Sequence, residues 1–308
     1  MLQPFVAILP VFLLIALGYG LRRIGVAPAE VWPALEWLCY YVLLPALIVS
    51  LLTESDFGKL AVAPAAVALA AGIAVTVGLL LLLAGPLMAL GLSGPAFTSV
   101  FQGGVRNNVF VSLAVLQGMY GQPAIAVVAI GLSVSVPIVN VASAWVLTRH
   151  GSGGGRGLGP TLAALARNPL IISVVVALAL NGFSLRLPGP LQVTLDTLGD
   201  AVIALSLLCV GAGLRIRGSL HQLGPALGTS IAAKLALVPA LTAAAAGLLG
   251  LPPAETGMAV AFNAAPTASA SYILARQLGG DHALMARIIT VQTLCATATI
   301  PAAVAVLS

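Results

Sequence analysis

Apolar runs of about 20 residues, separated by short polar turns, fill this chain from end to end. A run of that length spans the hydrocarbon core of a bilayer as a helix, where no water satisfies open backbone groups. Charged residues make up only 7% of 308 positions and mean hydropathy is +1.12, against about 25% charge in an ordinary soluble domain. The expected fold is therefore all-α and polytopic, with the lipid bilayer as its first partner.

Ten spans can be drawn: Pro4–Leu21, Pro33–Leu52, Val62–Leu90, Pro95–Tyr120, Pro123–Leu147, Pro169–Phe183, Leu191–Leu214, Gln222–Leu249, Ala254–Leu278 and His282–Leu307. The first has no basic lead and no small-residue cleavage site, so it reads as a span and not as a signal peptide. A helical lead-in from Thr161 is expected before the sixth span. Between the fifth and sixth lies RHGSGGGRGLGP, Arg149 to Pro160, a flexible glycine-rich linker.

Loops after odd-numbered spans, with the span ends that adjoin them, hold nine Lys and Arg residues and those after even-numbered spans hold two. Positive charge marks the cytoplasmic side, which puts the linker inside and both termini outside. The net charge of +5 is thus a topology signal. No basic run suggests nucleic acid.

Two spans carry interruptions. In the ninth, Pro266 stands among Asn263, Thr267, Ser269 and Ser271; it lacks an amide hydrogen and clashes with the preceding turn, so the helix should open. In the fourth, Gln102-Gly103-Gly104-Val105-Arg106-Asn107-Asn108 does the same. Asn107 precedes Pro266 by 159 positions, and Gly121 precedes Gly280 by 159. Leu35-Glu36-Trp37-Leu38 precedes Leu195-Asp196-Thr197-Leu198 by 160. With five spans per half the second half inserts upside down, giving a 5+5 inverted repeat: residues 1–148, a linker over 149–160, and residues 161–308. Matching interrupted helices mark the binding site in carriers of this architecture.

The candidate substrate-binding residues are Gly104, Arg106, Asn107, Asn108, Asn263, Pro266, Thr267, Ser269 and Gln292. An open half-helix presents unpaired amides and a partial positive charge, which favour an anion. The asparagines donate to a carboxylate or accept from a hydroxyl, and an arginine at mid-membrane depth can grip a carboxylate with two prongs. Each has a plainer reading. Small residues also let helices pack closely, and Arg106 could instead bridge to Glu36, Asp196 or Asp200. Asp196 and Asp200 share a helix face, either for coupling or as a solvated surface. Lys234 either snorkels or reaches a cavity, and Gln292 and Thr293 either line one or pack.

Enzyme chemistry has no footing here. There is no G-x-S-x-G, H-E-x-x-H, Walker loop or dinucleotide fingerprint. Cys39, Cys209 and Cys295 form no ligand pattern and read as packing residues, so no metal and no cofactor are expected.

The chain resembles the auxin efflux carrier family, whose bacterial members are often described as malonate or malate carriers. The resemblance covers essentially the whole chain. It rests on Arg106-Asn107-Asn108-Val109-Phe110, Ala264-Ala265-Pro266 with Tyr272-Ile273-Leu274-Ala275, and Gln292-Thr293 followed by Pro301; Pro45 and Gly211-Ala212-Gly213-Leu214 also fit. Asn107 and Pro266 match the family's residues at its two crossings, whereas Val109 and Ala114 stand where a glycine and then a proline are common. The resemblance implies a scaffold of spans 1, 2, 6 and 7 and a moving unit of spans 3–5 and 8–10. Elevator-like motion, a homodimer joined through the scaffold, and residence in the bacterial inner membrane are implied with it.

The expected function is a secondary or potential-driven carrier of a small organic anion, a mono- or dicarboxylate. The alternative is a sodium- or proton-coupled symporter of the bile-acid type, and a sensor or channel ranks below both.

Overall fold

The computed structural model describes residues 2–54, 61–122, 124–152, 166–216 and 224–307, and among these every regular element is helical. Apart from the six-residue helix Ala84–Ala89, the first five helices are α1 (Leu2–Arg23), α2 (Val31–Glu54, with a π-helical turn at Cys39–Leu43), α3 (Val62–Leu82), α4 (Gly94–Val105) and α5 (Val109–Tyr120). Then come α6 (Ala124–His150), α7 (Pro169–Gly182), α8 (Gly189–Gly213) and α9 (Pro225–Leu248, with a π-helical turn at Ala233–Leu237). The chain closes with α10 (Pro253–Asn263), α11 (Ala270–Leu278) and α12 (His282–Leu307).

Seven of these helices, α1, α2, α3, α6, α8, α9 and α12, are long and apolar enough to cross a membrane. Helix α7 is apolar but only 14 residues long. Helices α4, α5, α10 and α11 have 12, 12, 11 and 9 residues, too short to span alone.

Local chemistry explains where helices start and stop. Ser93 accepts from the Ala96 amide at 3.3 Å, and Pro95 follows it in the first turn of α4. Asn168 accepts from the Leu170 amide at 2.9 Å ahead of Pro169. Gly121 and Gly279 close α5 and α11 at φ 71° and 75°, where a side chain would be strained. The residue that ends α11 in this way is thus Gly279, one before the Gly280 expected from the repeat.

Two boundaries differ from the sequence expectation. The third span stops as a helix at Leu82 and a short separate helix, Ala84–Ala89, follows. Gln102, Gly103 and Gly104 stay inside α4, so the non-helical residues between α4 and α5 are only Arg106-Asn107-Asn108. The two glycines serve close approach: a Cβ on Gly103 would meet the Ser230 hydroxyl and Ile288, and one on Gly104 would lie 2.7 Å from Leu80. The helical lead-in expected from Thr161 and most of the linker lie outside the described residues.

Small residues bring the long helices together. A Cβ on Gly211 of α8 would strike the Ile15 carbonyl and the Tyr19 amide of α1, and one on Gly18 would strike the Leu208 carbonyl. Gly72 of α3 meets the Val238 carbonyl and Thr242 of α9 in the same manner. In lipid such van der Waals fit drives helix association. Gly211→Ala gains about 1 kcal/mol of helix propensity. Against a backbone that cannot turn aside, overpacking costs about 1–3 kcal/mol. The expected net result is a lower melting temperature, measured in detergent beside Gly78→Ala, whose added methyl meets nothing within 4 Å and which should melt no lower than wild type.

Candidate functional site

The two non-helical links, residues 106–108 and 264–269, pass against each other inside the helices. The Asn108 amide donates to the Pro266 carbonyl at 2.8 Å, and Asn107 Nδ2 donates to Asn263 Oδ1 at 3.1 Å. Asn108 also caps α5, its Oδ1 accepting from the Phe110 and Val111 amides at 3.1 and 3.3 Å. One main-chain bond and one amide pair therefore tie the links together.

Lys234 sits at this meeting point. It is fully buried in the π-helical turn of α9, a feature frequent at functional sites. Its Nζ donates to Asn107 Oδ1 and, at 2.9 Å, to the Asn263 carbonyl at the C-terminal end of α10. A cation belongs there, because the helix dipole presents its negative end. Asn263 is held in turn by bonds from its Nδ2 to the Leu69 carbonyl at 3.2 Å and to Thr242 Oγ1 at 2.7 Å. Both bonds hold the Lys234 ammonium inside the protein and away from the membrane surface.

A second set of bonds braces the far side of the links. Thr267 donates from its hydroxyl to the Gly103 carbonyl at 2.7 Å and from its amide to Gln292 Oε1 at 3.0 Å. Gln292 Nε2 donates to the Gly103 carbonyl at 2.9 Å and to the Ser230 carbonyl and hydroxyl at 3.1 and 3.2 Å. Asn263, Thr267 and Gln292 are buried, and their polar groups are engaged with protein. Gly104 and Pro266 are buried as well, the first packed against Leu80 and Ala233.

Beside the crossing lies a cavity of about 460 Å³. Arg106, Asn107 and Asn108 wall it from the first link, and Ala268, Ser269 and Ala270 from the start of α11. Ser269 precedes α11 without a side-chain cap bond, leaving the positive end of that helix at the cavity wall. Of the nine predicted site residues, the fold thus brings Arg106, Asn107, Asn108 and Ser269 onto one wall. The other five hold the crossing.

Arg106 is the conspicuous group. Its Nη1 is buried and has no hydrogen-bond partner. The structural bridges considered for it do not form among the described residues. Glu36 faces the same cavity without pairing to it. Asp196 and Asp200 line a separate space of about 190 Å³ with Ser50 and Gln117, where Asp196 accepts from the Ser50 hydroxyl and from Gln192 Nε2 at 3.1 Å.

Sequence reading passed over Tyr40, Ser135 and Asn140, which also line the larger cavity. The available signal was polarity inside an apolar run: Asn140 follows Val136-Pro137-Ile138-Val139.

Comparison with known proteins bears on what such a crossing does. A family model described as membrane transport protein matches residues 4–150 and 158–304. The chain belongs to that family. The match agrees with the auxin efflux carrier resemblance and identifies an integral membrane transporter and not an enzyme. A relative in Rhizobium meliloti (strain 1021), named "Putative malonate transporter", is 28% identical over 315 aligned positions, covering 95% of this chain and 92% of the relative.

Proposed function

We propose that this membrane transport protein carries a small carboxylate-bearing organic acid, a mono- or dicarboxylate, and holds its carboxylate at Arg106. The observation that carries the reading is the buried, unpartnered Arg106 Nη1 on the wall of a cavity where the links 106–108 and 264–269 meet. A guanidinium is the side chain best shaped for a carboxylate. The name of the Rhizobium relative points to the same substrate chemistry.

In this reading α4 with α5 and α10 with α11 are the fourth and ninth of ten spans in a 5+5 inverted repeat. Packing in repeat-related pairs supports it: α1 lies on α8 as α7 lies on α2, and α6 packs on α4 and α5 as α12 does on α10 and α11. Spans 1, 2, 6 and 7 form the scaffold and dimer contact, and the remaining spans move as an elevator. The chain sits in the inner membrane with its linker cytoplasmic and its termini outside.

A substrate of charge −1 leaving an inside-negative cell gains about 2.3 kcal/mol per 100 mV, so export needs no coupling ion. The sodium-coupled alternative requires several free oxygens. At the crossing, Asn107 Oδ1 and the Asn263 carbonyl already accept from Lys234. Proteoliposomes loaded with radiolabelled malonate test the proposal. Saturable efflux that other small carboxylates compete away is the expected result. Efflux absent without a sodium gradient would establish the symport reading, and no carboxylate flux under any gradient would sink the carrier assignment.

A further inference from the structure

Two formal charges face the larger cavity among its described lining residues: Arg106 on the first link and Glu36 on α2. They are not an ion pair, and among the described residues the Glu36 carboxylate accepts no hydrogen bond, although its main-chain carbonyl accepts from the Cys39 amide. A cavity that presents a guanidinium and a carboxylate apart from each other is matched by a ligand with both poles. Such a ligand pairs the two charges at once, whereas two like-charged ends leave one side repelled and poorly solvated. A dicarboxylate that puts one end on Arg106 brings its second negative end into an enclosure that already holds Glu36.

The aromatic side chains point the same way. Tyr40 follows Glu36 by one helical turn and shares its cavity wall. Trp37 and Tyr41, also on this wall, stack with ring centroids 5.2 Å apart. Ring faces attract an ammonium and offer little to a carboxylate. The π-helical turn at Cys39–Leu43 adds a residue to the helix at this level, as is frequent beside ligand sites. Ser135 and Asn140 from α6 add neutral donors and acceptors for the body of the ligand.

We infer that the cavity is built for a zwitterion, an amino acid whose carboxylate lies on Arg106 and whose ammonium lies on Glu36. The inference rests on the carrier reading above and narrows its substrate class to monocarboxylates that also carry an ammonium; such a ligand has no net charge, so its concentration gradient and not the membrane potential drives it. Because the two poles bind different elements, α2 and the first link, the ligand would also bridge parts that the elevator reading moves relative to one another.

The test uses the purified full chain in detergent and three matched pairs: β-alanine with propanoate, 4-aminobutanoate with butanoate, and L-leucine with 4-methylpentanoate, plus malonate. In wild type at least one amino compound should bind about ten- to a hundredfold tighter than its partner lacking nitrogen, the worth of one charged hydrogen bond. Glu36→Gln should bring that ratio to about one and raise the affinity for malonate, since the like charge is gone. Glu36→Asp, which keeps the charge, should retain a preference and so separates lost recognition from lost folding. Equal binding within every pair, or an amino preference that survives Glu36→Gln, overturns the inference and leaves the carrier reading standing. If no carboxylate of either kind binds, or Arg106→Gln binds them all as wild type does, both fail together.

Discussion

Arg106→Gln is expected to weaken carboxylate binding by about 2–5 kcal/mol, roughly thirtyfold to several thousandfold, while leaving the unliganded protein at least as stable as wild type. The binding loss follows from removing a two-pronged, charge-assisted pair in a site shielded from water. The stability outcome follows from what Arg106 lacks. Its Nη1 is buried without a partner, so the empty protein bears the desolvation of that group and receives no bond in return. Replacing it with a neutral amide lowers that cost, the usual opposition between a poised binding residue and stability. Melting curves with and without a panel of small carboxylates, β-alanine and malonate among them, check both halves, and flux in proteoliposomes should fall in parallel. A variant that melts several degrees lower without ligand would show Arg106 to be a structural cation; a variant still stabilised by carboxylates would move the site elsewhere. Arg106→Lys should fall between, since an ammonium keeps the charge without the planar fork.

Much of the helical plan is legible because lipid leaves a helix few alternatives, and apolar length reports that directly. The non-helical links at 106–108 and 264–269 are legible for a similar reason. Pro266 removes a donor that a continuous helix needs, and Arg106-Asn107-Asn108 places three polar residues where a helix would turn them toward neighbours. Finer placement was not available. Gly103 and Gly104 suggest a loosened backbone in sequence, yet both remain helical, and Ser230, Ile288 and Leu80 leave no room there for a side chain. Asn263, Thr267 and Gln292 have the same polarity as Asn107 and Ser269, yet they face the braces and not the cavity. Which way a side chain points depends on helix rotation and on partners distant in the chain. Lys234 shows the difficulty most clearly: its partner Asn107 lies 127 positions away, and no local pattern joins them. Glu36 likewise gains its meaning only when α2 packs beside the first link.

Asn107→Ala is expected to destabilise the protein by about 3 kcal/mol, and adding Lys234→Met should recover about 2 kcal/mol of that. In wild type Lys234 divides its donors between Asn107 Oδ1 and the Asn263 carbonyl, and Asn107 Nδ2 also holds Asn263 Oδ1. Deleting the Asn107 side chain takes one of two acceptors from a fully buried cation and leaves Asn263 Oδ1 without its donor. Truncating one partner of a buried charged contact is among the costlier single changes. Lys234→Met on its own sets two effects against each other. It leaves two oxygens short of a donor, at about 1–3 kcal/mol each, and it removes a buried charge whose desolvation costs several kcal/mol. The sum is near zero, so most of the damage in Asn107→Ala comes from the stranded ammonium and not from the missing amide. The double variant should therefore be more stable than Asn107→Ala alone, a favourable coupling that independent sites would not show. Unfolding titrations in mixed micelles across the four proteins of the cycle measure it. Losses that simply add would mean that Lys234 does not depend on Asn107, and the crossing would then owe its cohesion to the main-chain bond from Asn108 to Pro266 and to the braces around Gln292.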